Sequence, residues 1–551
     1  MQHRVRAQLN CTLCADNNVD DLSAKYISER SAVFDMDNEA AYDLVKRCIE
    51  DCSHHERCPL PVPAMLPTRV IDCFDPSRPR LLVTNDSTKQ RYAALSYVWG
   101  EDQPHRMTTE NLDSYTTFVD PSLIPVTIRD AITVTHKLGL RYLWVDALCI
   151  IQNSREDKAR EIPKIHSNFR NAFITIVAAK ATKASAGFLR KDLTRWYPQT
   201  TPSTLPFIAP CGSIGTMLLT KGGRLEPDVI DSRAWCLEER VLSPRVVAYS
   251  SQALQYECQA RRMNVNGSHN FLPTPSDQPR LPDYAFAPGL LESNSMPTEK
   301  EKSASWRDML GQYSRRGLTK PRDRLVALGA LAKQFHLLWP ESEYAAGLWT
   351  HHLPEALLWY TTSDSNRNPS ARPTNYRAPS WSWAAVDGGI SGAGYRNSSS
   401  IMCDVLQVEV VLKNSADLYG EVTSGFLILD CILRTVIWNA PEGDLFECDG
   451  GSTAVALTSH PESAKGEIGV VVADATEEVS AATCQVTAAI MQNTGLSLLG
   501  LVLVTVPKLD DTYTAAKYDY EAVYKRVGWF TAPFCDRDRW LSTPRSSVKI
   551  I

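Results

Sequence analysis

Apolar residues recur in two textures along this chain, and the change between them divides it. From about residue 90 to 260, short apolar runs alternate with stretches of helical period, the order in which a βα-type module reads. Arg91–Val98 (RYAALSYV) predicts a strand. Thr127 with Asp130 reads as a capping box opening a helix. Ile128, Ala131, Ile132, Thr135 and Leu138 share one face of that helix, and Gly139 closes it at C′. Arg141–Val145 predicts a second strand and Ala172–Ala178 a third. Between them Ser154 and Asp157 pair as a further capping box. Pro163 then interrupts or restarts a helix with Ile162, Ile165 and Phe169 on its inward face. Asp231–Leu242 predicts a helix with Ala234, Leu237 and Val241 in one stripe. Val246–Tyr249 and Leu254–Glu257 return to strand character.

Beyond this module Pro, Ser and Asn dominate as far as residue 300, and Ser303–Trp359 is mostly helical in period. From about 370 the texture becomes β-branched: Val405–Leu412, Phe426–Trp438, Ile468–Val472, Leu498–Val506 and Ala522–Phe530, joined by Gly, Asp, Asn and Pro. The expected organisation is a Cys/His-containing segment over 1–75 and an α/β domain over 76–261. A linker or long loop follows over 262–302, then a mostly helical segment over 303–369 and a β-rich domain over 370–551. A chain of 551 residues exceeds what one core usually organises, which agrees with several domains. The expected sheet over 90–260 is mainly parallel, with helices on its faces.

Charge narrows the partners. The chain has 58 basic and 63 acidic residues, a net −5, which does not suit a protein that coats nucleic acid. Met1–Asn10 has no apolar core, so no secretory signal is expected. Leu496–Val506 falls far short of the roughly 20 residues that span a membrane. The expectation is a soluble cytoplasmic protein whose 15 cysteines, several of them inside apolar segments, stay reduced.

Three blocks carry a family resemblance. The first is Tyr92–Gly100 (YAALSYVWG), followed by Glu101 and Asp102. The second runs from Leu123-Ile124-Pro125 through LWVDALCIIQN to Ala172. The third is Ser232–Arg245 (SRAWCLEERVLSPR), followed by Gln252 and Tyr256-Glu257-Cys258. In order and spacing they resemble the fungal heterokaryon incompatibility (HET) domain, with weaker companions as far as Ala378–Trp383. Asn153, Lys158, Glu238 and Tyr256 depart from the family's usual Asp, Trp, Gln and Trp. The resemblance implies an α/β fold distantly like TIR domains. It also implies a role in nonself recognition and programmed cell death, acting through an unidentified protein partner or self-association. Two alternatives stand beside this role: a TIR-like hydrolase consuming NAD, and a non-catalytic accessory protein of a biosynthetic pathway.

The same residues carry candidate chemistry. In open α/β sheets ligands collect beyond the carboxyl ends of strands. Trp99 and Gly100 follow one strand, whose Ser96 belongs to the first block, and Asp146 follows another. Asp146 is either a ligand acceptor or the cap of its own turn, and Trp99 a cleft residue or core. Arg233, Trp235, Glu239 and Arg240 belong to the third-block helix, where Glu239 between two arginines is either a buried ion-pair network or a phosphate clamp. Asp146 and Glu161 are the candidates for catalysis, Glu161 being otherwise a solvated helix charge. Cys11-x2-Cys14 and Cys52-x2-His55-x2-Cys58 have zinc-ligand spacings, although Cys48, Cys52 and His55 also share one helical face. If metal is bound, the Cys14 and Cys58 sulfurs are expected within about 4 Å of each other. No metal or cofactor is assigned on these grounds.

Overall fold

The computed structural model describes residues 11–15, 21–27, 36–85, 87–189, 203–221, 227–251, 253–267, 272, 279–287, 297–362, 370–392, 400–448, 466–479, 483–506, 520 and 522–551. The chain divides into two compact units, Met1–Phe286 and Ala287–Ile551.

Among the described residues of the first unit, eight strands form one sheet: β1 (Arg69–Asp72), β2 (Arg80–Val83), β3 (Tyr92–Ser96), β4 (Tyr142–Trp144), β5 (Ile174–Val177), β6 (Arg245–Tyr249), β7 (Leu254–Cys258) and β8 (Arg262–Asn264). Their order is β8-β7-β6-β5-β3-β4-β1-β2. The pairings β6–β5, β5–β3 and β3–β4 are parallel. The outer pairings β8–β7, β7–β6, β4–β1 and β1–β2 are antiparallel. The sheet is therefore mixed, which corrects the expectation of a mainly parallel one. Strands β6, β7 and β8 follow one another through residues 250–253 and 259–261, connections that suit hairpins and are too short for a parallel crossover. Every residue of β3, β5 and β6 is buried, as strands covered on both faces require.

Helices supply the covering layers. Helix α1 (Glu39–Ser53) is capped by the Asn38 side chain, which accepts from the Ala41 N–H at 2.8 Å. Its Tyr42, Val45, Cys48 and Cys52 enter the same buried cluster as β3, β4 and β5. Helix α2 (Val126–Lys137) follows Pro125 rather than a Thr127 cap. Thr127 Oγ1 accepts instead from the Gly187 N–H, and Asp130 Oδ2 from those of Phe188 and Leu189 at 2.7 and 3.0 Å. The two residues that read as a capping box thus clasp a loop 60 residues away. At Ser154 half of the expected box forms. Ser154 accepts from the Asp157 N–H, while the Asp157 carboxylate turns to the Ile151 N–H and the buried Arg69 guanidinium. Helix α3 (Ala234–Val241) buries Ala234, Leu237 and Val241, the stripe seen in the sequence.

Strand β8 and the helical turn Asp283–Phe286 lie inside the stretch whose composition reads as a linker. A separate antiparallel sheet joins Cys11–Ala15, Ile214–Lys221 and Ser203–Ile208.

The second unit opens with helix Glu299–Ser314, where Thr298 and Glu301 complete a capping box. Besides two small two-stranded sheets, Tyr344–Ala345 with Leu348–Trp349 and Trp359–Thr362 with Gly389–Gly392, its described strands build one nine-stranded sheet. Six of those strands close on themselves through antiparallel pairings: Val422–Asn439 to Asp444–Glu447, Glu467–Ala473, Val523–Ala532, Leu498–Thr505, Cys484–Asn493 and back to Val422–Asn439. Closure leaves these strands without open edges. No helix among the described residues is long and apolar enough to cross a membrane.

Arg526 is fully buried in this unit and holds three segments at once. It donates to both Asp474 carboxylate oxygens at 3.0 and 3.1 Å, and to the Leu357 and Trp359 carbonyls at 2.6 and 2.5 Å. Its guanidinium also lies 3.5 Å from the Trp359 ring centroid. Arg526→Met leaves the buried Asp474 with only Arg372, 3.7 Å away, and is expected to cost about 3–5 kcal/mol in denaturant unfolding. A loss below about 1 kcal/mol would show that the pair does not secure the unit.

Candidate functional site

Parallel pairing of β3 with β4 brings their carboxyl ends to one edge. Ala94 is in register with Trp144, so Ser96 and Asp146, each two residues further on, arrive at the same level. Helix α3 lies against β3 there, with Arg233 at its N-cap and Glu239 one and a half turns in. Three separate stretches of chain thus meet.

Their polar groups interlock. The Ser96 hydroxyl donates to Glu239 Oε2 in a short hydrogen bond. Trp99 Nε1 donates to Asp146 Oδ2 at 2.9 Å, and the Ala147 N–H donates to Asp146 Oδ1 at 2.7 Å. The Tyr97 hydroxyl and Gln103 side chain meet at 3.2 Å. Although Asp146 and Glu239 keep some exposed surface, protein encloses their carboxyl groups. That enclosure pushes Glu239 up to about 7, against the pull of Ser96 and Arg233 and with a further push from Asp146. It also raises Asp146, against the Ala147 amide, Trp99 and Arg233. Burial and then the Asp146 charge hold the Tyr97 phenol far above its ordinary range. The site therefore offers a carboxyl that changes charge near neutrality, beside a second carboxyl and a guanidinium. Such a group can give or take a proton at physiological pH.

The other residues singled out in the sequence lie elsewhere. Arg240, one position beyond Glu239, points away to the buried Glu257. It donates through Nη2 in a short bond and through Nε at 3.3 Å. Arg262 and Arg280 approach the same carboxylate at 3.1 and 3.5 Å, and together the three guanidinium groups bring Glu257 down to about 2 although burial raises it. Gly100 takes φ +64°, and a Cβ there would meet Lys183 Cβ at 2.6 Å and the Thr182 carbonyl at 2.8 Å. Its lack of a side chain admits the 182–184 loop, whose Ala184 N–H bonds the Trp99 carbonyl. Glu161 is buried, not solvated, and meets Thr68, Arg160 and Lys164 near β1. Trp235 is half-buried on α3, and Trp99 is half-buried against the core rather than inside it.

Sequence reasoning missed Tyr97 and Gln103, although Tyr97 lies within the first block. It also missed Cys258. Cys52, His55, Cys58 and Cys258 place their ligand atoms within 4.8 Å of one another. Cys14, the expected partner of Cys58, instead faces the Leu218 carbonyl at 3.7 Å in the small sheet. That corrects the expected pairing, because packing of α1 against β7 and not N-terminal proximity decides which thiols meet. The Cys11 side chain lies outside the described residues. In the second unit Glu299, His351 and His352 also cluster, but Glu299 and His351 are exposed and Glu299 already accepts from Trp339 Nε1 at 2.8 Å.

Two predictions follow from the electrostatics. Glu239 binds its proton more tightly folded, at about 7, than at its ordinary 4.5. Between those values the folded state holds more protons, so stability falls as pH rises from 4.5 to 7 and then levels off. Glu239→Gln should remove its share of that fall, of order 1–3 kcal/mol, in thermal midpoints taken from pH 4.5 to 8. An unchanged slope would mean that another group titrates. Arg240→Ala should lower stability by about 3 kcal/mol while leaving the Ser96–Glu239 contact intact, since Arg262 and Arg280 keep part of the Glu257 charge compensated. An unchanged midpoint would contradict the network.

A family model described as "Heterokaryon incompatibility protein (HET)" matches residues 92–239, from the first residue of β3 to Glu239 itself. No curated protein and no solved structure matches the chain. Ser96, Trp99, Asp146, Arg233 and Glu239 all fall inside the matched span. The chain carries a heterokaryon incompatibility (HET) domain over residues 92–239.

Proposed function

We propose that this protein acts in fungal nonself recognition, its HET domain promoting the cell-death response that follows contact between unlike cells. The family match carries this reading. The convergence of residues from all three sequence blocks supports it, because a site assembled from separated stretches is what an α/β module uses to act on a ligand. The partner is a cytoplasmic protein or a second copy of the chain. Expression in a filamentous fungus tests the proposal. Growth arrest with the wild-type chain, lost in Asp146→Asn and Glu239→Gln at unchanged protein level, is the expected result. Normal growth with the wild-type chain present at high level would overturn it.

One observation favours a catalytic version of the same role. Glu239 titrates near neutrality beside Asp146 and Arg233, which suits acid–base work on a polar ligand such as the ribose of NAD. This is the TIR-like reading, in which the module consumes NAD. Purified protein incubated with NAD is then expected to release nicotinamide, and Glu239→Gln to slow release by about 10²–10⁴-fold. Cell death without nicotinamide release would leave the interaction role and remove the hydrolase.

A further inference from the structure

The C-terminal end of α1, the turn after it and the end of β7 converge on three sulfurs and one imidazole. Cys52 lies in the last turn of α1, His55 and Cys58 follow in the turn, and Cys258 ends β7, 200 residues later. His55 Nδ1 is 3.7 Å from Cys58 Sγ and 3.5 Å from Cys258 Sγ. All four ligand atoms lie within 4.8 Å of one another. Around a tetrahedral ion with metal–sulfur bonds near 2.3 Å and metal–nitrogen bonds near 2.0 Å, neighbouring S and N atoms sit about 3.6 Å apart. The two His55 distances match that edge.

A second observation concerns charge. Arg245 is 2% exposed, and its guanidinium reaches only carbonyl oxygens, of Pro59 in the turn and of Phe173. Its Nε meets no hydrogen-bond partner among the described residues. A buried guanidinium without a carboxylate needs a negative neighbour, and its bond to the Pro59 carbonyl sets it beside Cys58. Three thiolates and a neutral imidazole around a dication carry one net negative charge, which answers it.

We propose that Cys52, His55, Cys58 and Cys258 bind one Zn²⁺ as a closed structural site. Four protein ligands leave no open position for water or substrate, so the ion ties α1 to the antiparallel side of the HET-bearing sheet instead of taking part in a reaction. The S₃N donor set selects zinc over magnesium or calcium. Binding releases the thiol protons and adds directly to the stability of the first unit.

The test uses the full chain purified under reducing conditions without chelators. Elemental analysis is expected to give about one zinc per chain, against near none for Cys258→Ser. Cys48→Ser, on the same face of α1 but outside the cluster, should retain the metal. His55→Cys should also retain it, because four thiolates still close a tetrahedron. Should Cys258→Ser fail to fold, cobalt added to the metal-stripped wild-type chain serves instead, and an absorption spectrum of tetrahedral thiolate-bound Co²⁺ is expected. Absence of stoichiometric zinc after reconstitution, an octahedral cobalt spectrum, or a disulfide between any two of the three cysteines in the reduced preparation would overturn the proposal.

Discussion

Strand β3 lies at the centre of the first unit, paired in parallel on both sides and buried along its whole length. A strand so placed has no solvent-facing side, so Tyr92–Leu95 must pack, and Tyr92 places its hydroxyl against the Asn168 carbonyl. Polar chemistry can begin only where the strand ends. Ser96, Tyr97 and Trp99 stand at that point, and the parallel partner β4 delivers Asp146 to the same edge. Helix α3 then crosses above with Glu239, and the burial that keeps β3 in place also encloses these carboxyl groups.

Two adjacent residues on α3 show how strongly enclosure depends on partners. Glu239 has only the Ser96 hydroxyl and the Cys236 thiol as neutral partners and a single guanidinium acting across the site, with Asp146 opposing, so burial wins and its proton is retained to about 7. Glu257 is at least as deeply buried, yet Arg240, Arg262 and Arg280 outweigh the same penalty and hold it charged down to about 2. The first arrangement stores a group ready to exchange protons. The second locks α3 to β7 and β8. Consecutive residues of one helix thus take different partners: Arg240 completes an ion pair with Glu257, while Glu239 turns to Ser96.

The sulfur–imidazole cluster belongs to the other margin of this sheet. There the antiparallel hairpin β6–β7 reaches back to the end of α1, and Arg245 and Tyr256 of these strands stand beside Cys52. A tie at this place restrains the segment that precedes the HET domain in sequence, so the N-terminal helix and the hairpin beyond residue 239 enclose the domain from both sides of the chain.

Much of the local structure is written in the sequence. Apolar periodicity placed β3, β4, β5, α2, α3, β6 and β7 because a buried face imposes its period on the residues that form it. The three blocks identify the HET domain because their spacing reflects strand ends and helix starts. The Cys52-x2-His55-x2-Cys58 spacing was equally readable, since those residues lie close together in sequence at the end of α1. What local pattern cannot carry is which distant groups meet. Thr127 and Asp130 look like a cap but hold the 187–189 loop. Cys14 has the spacing of a ligand, yet Cys258 takes the fourth place. Glu239 turns to Ser96 and Arg240 to Glu257. The antiparallel margins of the sheet depend on short hairpins that periodicity does not orient. Side-chain type and period act over a few residues, whereas partnership, burial and hence pKa are set by chain segments up to 200 residues apart. The sequence by itself determined the elements and the HET domain over 92–239; only the packed sheet decided which carboxyl would titrate near neutrality and which thiols would meet.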